Sequence, residues 1–194
     1  MISDSAIYGV HAAFWSSFAA GRWLLGPRKK DRARKAERAA TAPYARTLVI
    51  AFGASMGVMY FGIGDAVIGR KVPELFFLQR AAGTAVIAAG AVVACWALAS
   101  FGSWRIQAKI DAGHRLATGG PFAFVRHPIY LALDLLVIGT LLWIPSWIEL
   151  AAAAFAVLVG DLRARAEEKI LLASFGQRYR DYMRTSSRFV PGIY

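Results

Sequence analysis

Five apolar runs divide this chain, at residues 6–25, 47–69, 75–101, 129–144 and 147–160. Roughly 18–20 apolar residues are needed to cross a hydrocarbon core of about 30 Å as a helix. Several of the runs approach or exceed that length, which makes an integral membrane protein the expectation. Composition agrees: 57% of residues are apolar and only 18% charged, and the mean hydropathy is +0.45. Soluble domains carry more charge. The fold class expected is an all-α integral membrane protein with about five transmembrane helices, forming a single domain over residues 1–194. Residues 1–100 would be a three-helix membrane scaffold and residues 101–194 the half that carries chemistry.

Charge between the runs sets the orientation. The segment 26–46 holds Arg28, Lys29, Lys30, Arg32, Arg34, Lys35, Arg38 and Arg46 against Asp31 and Glu37, and the positive-inside bias places it in the cytoplasm. The N-terminus is then outside. Asp4, with no Lys or Arg, precedes the first run, so the basic flank of a signal peptide is missing. The second run goes out, residues 69–74 form a short outer loop, and the third run returns. As helices the fourth and fifth runs are roughly 24 and 21 Å long, short for independent spans. The sequence Trp143-Ile144-Pro145-Ser146-Trp147 between them reads as a tight outer turn with tryptophans at headgroup level. The two runs are therefore expected to form a helical hairpin.

No proline or glycine interrupts residues 161–174, so the fifth helix is expected to continue into the cytoplasm until Gly176 ends it as a C′ residue. The basic, aromatic tail 177–194 suits a short helix along the membrane surface. The C-terminus and every polar cluster of interest then face the cytoplasm, and the expected location is a bacterial or archaeal cell membrane. The net charge of +11 follows from this topology, and no nucleic-acid motif accompanies it.

Inside the runs, Gly53-x-x-x-Gly57 and the set Gly83, Gly90 and Ala94 are small-residue spacings that let helix backbones approach. His11 reads as a packing or cavity-facing residue, Arg80 as a snorkelling one, and Cys95 as a small buried hydrophobe. Glu149, in the first turn of the fifth helix, is favoured by the macrodipole.

The stretch 113–130, GHRLATGGPFAFVRHPIY, is unlike its surroundings. It concentrates turn residues, donors and aromatics between two apolar runs. Pro128 suits the first position of the fourth helix, which puts Arg126 and His127 at a helix N-terminus, where anions are welcome. Arg163 and Glu167 are four residues apart and share a helical face, though basic-before-acidic is the weaker order for an ion pair. Glu168 beside Glu167 needs a cation to share. His114 and His127 lack a third ligand, so no metal is expected. Gly119-Gly120 lacks the rest of a phosphate loop, and no Ser or Cys has an obvious activating partner.

Taken together, His114-Arg-Leu-Ala-x-x-Gly-x-Phe122, Arg126-His-Pro-x-Tyr130, Glu167-Glu168 and Phe175-Gly-x-x-Tyr179-x-x-Tyr182 resemble the isoprenylcysteine carboxyl methyltransferase family and its phospholipid methyltransferase relatives. The resemblance covers residues 100–194. It implies a membrane-embedded methyltransferase that uses S-adenosylmethionine, yields S-adenosylhomocysteine and has no Rossmann domain. By position, the cofactor site would be Gln107, His114, Arg115, Leu116, Ala117, Phe122, His127, Pro128, Ile129, Tyr130 and Glu167. Arg163 falls where the family places an arginine on the methyl acceptor. Arg126, Glu168 and Asp134 are additional candidates.

Three positions depart from the family: Phe122 for a tyrosine, Ala117 for a valine, and Ala132 for a glycine two residues after the motif tyrosine. None removes a charge. Asp134, four residues beyond Tyr130, is an intramembrane carboxylate and a functional candidate on that ground. The acceptor implied is lipophilic, foremost an isoprenylcysteine-like carboxylate. A phospholipid amine or small thiol is the alternative, and a non-catalytic membrane protein that keeps the fold is a third reading. The partners expected are that acceptor and the lipid bilayer.

Overall fold

A chain segment shielded from water must satisfy its own backbone hydrogen bonds, and a helix does so locally. The computed structural model of the protein describes residues 5–25, 40–41, 44–69, 77–100, 109–110 and 116–194. Six α-helices run through these residues: α1 (Ala6–Leu25), α2 (Ala45–Ile68), α3 (Phe77–Ser100), α4 (Pro128–Trp143), α5 (Trp147–Phe175) and α6 (Gln177–Thr185). A 3₁₀ turn, Gly120–Ala123, precedes α4. The only sheet among the described residues is a two-residue antiparallel pairing of β1 (Ala40–Thr41) with β2 (Lys109–Ile110). The segments Arg46–Ile68 and Leu78–Ser100 are long and apolar enough to cross a bilayer, with mean hydropathies of 1.7 and 2.0.

Local chemistry sets the helix ends that matter for the site. Pro128 opens α4 directly after His127, where its missing N–H costs nothing. Ser146 caps α5, its Oγ accepting from the Glu149 N–H at 3.1 Å, a bond that satisfies one of the otherwise orphaned N-terminal donors. At the other end Gly176 has φ 53°, a conformation glycine adopts without Cβ strain. It turns the chain straight from α5 into α6, as its position in the sequence suggested.

Helix α4 lies at the centre, packed on α3 and on α5, while α2 covers α5 and α1 covers α3. The α3–α4 seam is as close as backbones allow. A Cβ at Gly83 would sit 2.7 Å from the Gly139 carbonyl oxygen, and one at Gly90 would sit 2.8 Å from that of Ala132. Ala94 is fully buried. The small-residue face read from α3 is therefore a packing face. The same does not hold for Gly53 and Gly57, where a Cβ would meet nothing within 4 Å. That pair takes no part in packing among the described residues.

His11 has both ring nitrogens engaged, Nδ1 with the Tyr60 hydroxyl at 3.0 Å and Nε2 with Thr140 Oγ1 at 2.9 Å. It ties α1 to α2 and α4. The tryptophans flanking the turn between α4 and α5 divide. Trp147 is 85% exposed, but Trp143, expected beside it at headgroup level, is buried, its Nε1 donating to Thr84 Oγ1 at 2.9 Å. The indole N–H finds a partner on α3, which makes burial affordable to an aromatic with a polar handle. Arg80 is buried too, its guanidinium 5.1 Å from the Trp143 ring centroid; it stacks where the sequence suggested snorkelling.

Candidate active site

Three segments converge at one end of α4. The 3₁₀ turn and the residues after it bring Phe122, Arg126 and His127; the first turn of α4 brings Pro128, Ile129 and Tyr130; α5 brings Glu167 and Leu171. Together with Leu116, Ala117, Tyr179 and Tyr182 they line a single cleft. Nine residues read as cofactor contacts or additional candidates from the sequence thus share one wall-lined space. Gln107, His114 and Arg115 lie outside the described residues.

The polar end of the cleft is built on Tyr130. Its hydroxyl donates to Glu167 Oε1. His127 Nδ1 lies 3.6 Å from Glu167 Oε2, and the His127 and Tyr130 rings stack with centroids 5.7 Å apart. Arg163 is buried, its guanidinium 4.9 Å from the Tyr130 ring centroid and 5.8 Å from that of Phe52 on α2. Arg163 and Glu167 share a face of α5 as their spacing requires, and they meet at Tyr130.

Glu168 turns to other cations. It accepts from Arg126 Nε at 2.9 Å and from Arg188 Nη2 at 2.7 Å, and His127 Nε2 stands 3.5 Å away, at ion-pair distance without hydrogen-bond alignment. Two adjacent carboxylates are tolerable because His127 sits between them. Burial alone would raise the Glu168 pKa, but His127, Arg188 and Arg126 outweigh it and hold the carboxyl well below its usual range. Burial likewise pushes His127 down, and the close carboxylates of Glu167 and Glu168 overcome it, so the pKa of the imidazole is raised above its ordinary value.

The tail closes the site, which sequence reasoning did not foresee. Arg126 N–H donates to the Ser187 carbonyl at 2.8 Å and Ser187 N–H to that of Phe124 at 3.1 Å, so Val125 and Ser187 form a parallel bridge. The Arg126 guanidinium also donates to the carbonyls of Met183 and Ser186. The Tyr182 hydroxyl donates to the Phe122 carbonyl at 2.6 Å, and burial pushes its pKa up to about 12. The short helix expected in the tail is α6, but its aromatic face is turned into the protein, with Tyr179 fully buried. The spacing of Tyr179 and Tyr182, three apart and so on one helical face, was the signal available for that.

Asp134 lies one turn deeper than Tyr130, on the α5 side of α4. It is 7% exposed, its Oδ1 has no hydrogen-bond partner among the described residues, and it faces Gly160. A Cβ on Gly160 would meet only that oxygen, at 3.6 Å. A carboxylate oxygen thus borders a notch left by a missing side chain.

The residues present fit S-adenosylmethionine. Its sulfonium and ammonium are cationic, and the cleft is lined by the Glu167 carboxylate and by the aromatic side chains of Phe122, Tyr130, Tyr179 and Tyr182, a residue type whose rings attract cations electrostatically. The Tyr179 hydroxyl, buried without a partner among the described residues, is a donor such a ligand can use. No group of three or more His, Cys, Asp or Glu able to hold a metal exists among the described residues.

Comparison with known proteins bears on the same segment. None of the curated proteins matches the chain significantly. The profile of the phospholipid methyltransferase family matches residues 78–178, more than half of the chain, from α3 through α5 into α6. The chain belongs to the phospholipid methyltransferase family.

Proposed function

We propose that this protein methylates a lipophilic acceptor at the cytoplasmic face of a membrane, using S-adenosylmethionine and releasing S-adenosylhomocysteine. The observation that carries the reading is the convergence of Glu167, His127 and Tyr130 in an aromatic cleft opening beside the buried Arg163. The bound cofactor would supply an electrophilic methyl on sulfur. Gln107, His114 to Ala117, Phe122, His127 to Tyr130 and Glu167 would hold it. Two apolar helices and the family support membrane association, and the full reading is five spans, N-terminus outside, with cleft and tail in the cytoplasm.

The first reading of the acceptor is a carboxylate such as that of an isoprenylcysteine. It is ionised at pH 7 and needs no general base, so the protein's task is in-line positioning, with Arg163 pairing the carboxylate in a charge-assisted hydrogen bond. A phospholipid amine is the second reading. The family match and the notch before Asp134 Oδ1 support it. An amine must lose a proton, so at saturating cofactor its methylation rate rises toward alkaline pH, whereas that of a carboxylate stays flat above neutral.

The deciding experiment is transfer of tritiated methyl from labelled cofactor into membrane lipid extracts, followed by identification of the labelled lipid. Calorimetry with S-adenosylhomocysteine stands beside it: no binding would sink the enzymatic reading in favour of a membrane protein that keeps only the fold. Arg163→Ala is expected to raise the acceptor KM or lower kcat with cofactor binding intact; unchanged kinetics would remove its role. Asp134→Asn leaving rate and acceptor choice untouched would do the same for Asp134.

A further inference from the structure

The tail and residues 123–126 line a second cleft, of about 580 Å³, which shares Arg126 with the cofactor cleft. Its lining includes Arg184, Thr185, Ser187 and Arg188 together with Phe124 and Ile193.

Its neighbours set its depth. The Phe124 ring lies 6.3 Å from that of Trp96 near the end of α3, and a Cβ at Gly120 would fall 2.2 Å from Ser100 Oγ, the final residue of that helix. The 3₁₀ turn therefore rests on the end of a helix long and apolar enough to cross a bilayer, which on the membrane reading proposed above is where lipid headgroups begin. Phe124 is 58% exposed and Ile193 82%. The lining of the cleft thus combines exposed apolar side chains with guanidinium and hydroxyl groups.

The charges are not all available. Arg126 and Arg188 are matched by Glu168, and Arg188 also by Asp161 at 3.2 Å. Arg184 is different: its partner is Asp181 at 3.5 Å, with side chains 77% and 58% exposed, and such surface pairs contribute about 0–1 kcal/mol. An incoming anion displaces that contact at little cost. Ser187 Oγ already accepts from the Gly192 N–H at 2.8 Å, which leaves its own proton to donate.

We propose that this cleft binds the phosphate of an anionic phospholipid, with Arg184 and Ser187 on the phosphate and Phe124 and Ile193 against the start of the acyl chains. A basic side chain close to an anionic leaflet is favoured electrostatically, and apolar side chains beside it add burial that free phosphate cannot reproduce. Lipid bound there would fasten the segment whose backbone pairs with residues 124–127, and so the wall of the cofactor cleft.

The test uses the full chain in detergent, with lipid retention read by native mass spectrometry. Phosphatidylglycerol is expected to be retained over phosphatidylcholine by about tenfold, equivalent to about 1.4 kcal/mol. Arg184→Gln should bring that ratio close to one and Ser187→Ala should lower it, while Arg178→Gln, an exposed arginine on α6 outside the cleft, leaves it unchanged. Inorganic phosphate should fail to displace the lipid. No preference in the wild type, a preference that survives Arg184→Gln, or an equal loss in Arg178→Gln would overturn the proposal. Full displacement by inorganic phosphate would overturn it too, by identifying a free-phosphate site. Should Arg184→Gln not fold, Ser187→Ala and the phosphate competition decide.

Discussion

The guanidinium of Arg163 lies 4.9 Å from the centroid of the Tyr130 ring. The hydroxyl of that same ring donates to Glu167, so one side chain touches both the residue assigned to the acceptor and the one assigned to the cofactor. Tyr130→Phe separates the two contacts. It is expected to weaken S-adenosylhomocysteine binding by about tenfold, since a hydrogen bond to a charged group contributes about 1.5–3 kcal/mol, while the acceptor KM stays near its wild-type value. Tyr130→Leu removes the ring and should damage both. Calorimetry and steady-state kinetics on the pair check this; equal effects of Phe and Leu would refute the division.

Cofactor affinity should depend on pH through His127. Folding raises its pKa above 6.5 because Glu167 and Glu168 outweigh burial. A protonated imidazole repels a cationic ligand, so S-adenosylmethionine should bind more tightly as pH rises through the folded His127 value. In His127→Gln the trend should vanish. A titration series from pH 6 to about pH 9 reads it directly.

Glu168 makes the opposite contribution to stability. Its pKa is held far below 4.5, so the stabilisation is complete above that value and drains away as pH falls toward the folded pKa. Glu168→Gln should lose about 3 kcal/mol at neutral pH, as expected when one partner of a largely buried ion pair is removed. The gap between variant and wild type should narrow in acid. Thermal unfolding in detergent across the acid range tests both parts.

Substitutions at two glycine pairs should behave differently. A Cβ at Gly139 would lie 2.6 Å from Ile87 Cγ1 and 2.8 Å from the Gly83 carbonyl oxygen; backbone cannot yield, and Gly139→Ala should destabilise by about 1–3 kcal/mol. Gly53→Ala meets open space and should leave the melting temperature of the monomer unchanged.

Much of the frame could be read from hydropathy alone. The first run coincides with α1, Ala6–Leu25, the next three end within about two residues of their helices, and the fifth begins with α5 at Trp147, because apolar length and Pro or Gly punctuation are local signals. The onset of α4 at Pro128 and the passage of α5 to Phe175 followed from the same signals. The site was legible only in part. The cluster from Leu116 to Tyr130 and Glu167 came from motif order, and the residues do share a cleft. What no local pattern encodes is pairing across sixty or so residues: Val125 with Ser187, Tyr182 with the Phe122 carbonyl. The motif marks Arg126 as a candidate, but nothing local shows that Glu168 stands between it and Arg188 of the basic tail. Trp143 misled for a related reason, since its partner Thr84 lies on another helix.

Helix α5 runs for 29 residues without a break, from the turn after α4 past the cleft to Gly176. At 1.5 Å per residue that is a rod of about 43 Å, stiff enough to transmit tilt. A bilayer too thin or too thick for the bundle is accommodated partly by tilting its helices, and here the far end of the rod carries Arg163 and Glu167. Membrane thickness thereby becomes a mechanical input to the geometry of the site. Affinity for S-adenosylhomocysteine, measured in nanodiscs of increasing acyl-chain length, should pass through a maximum; a flat response would show that the tail holds the cleft rigid against the rod.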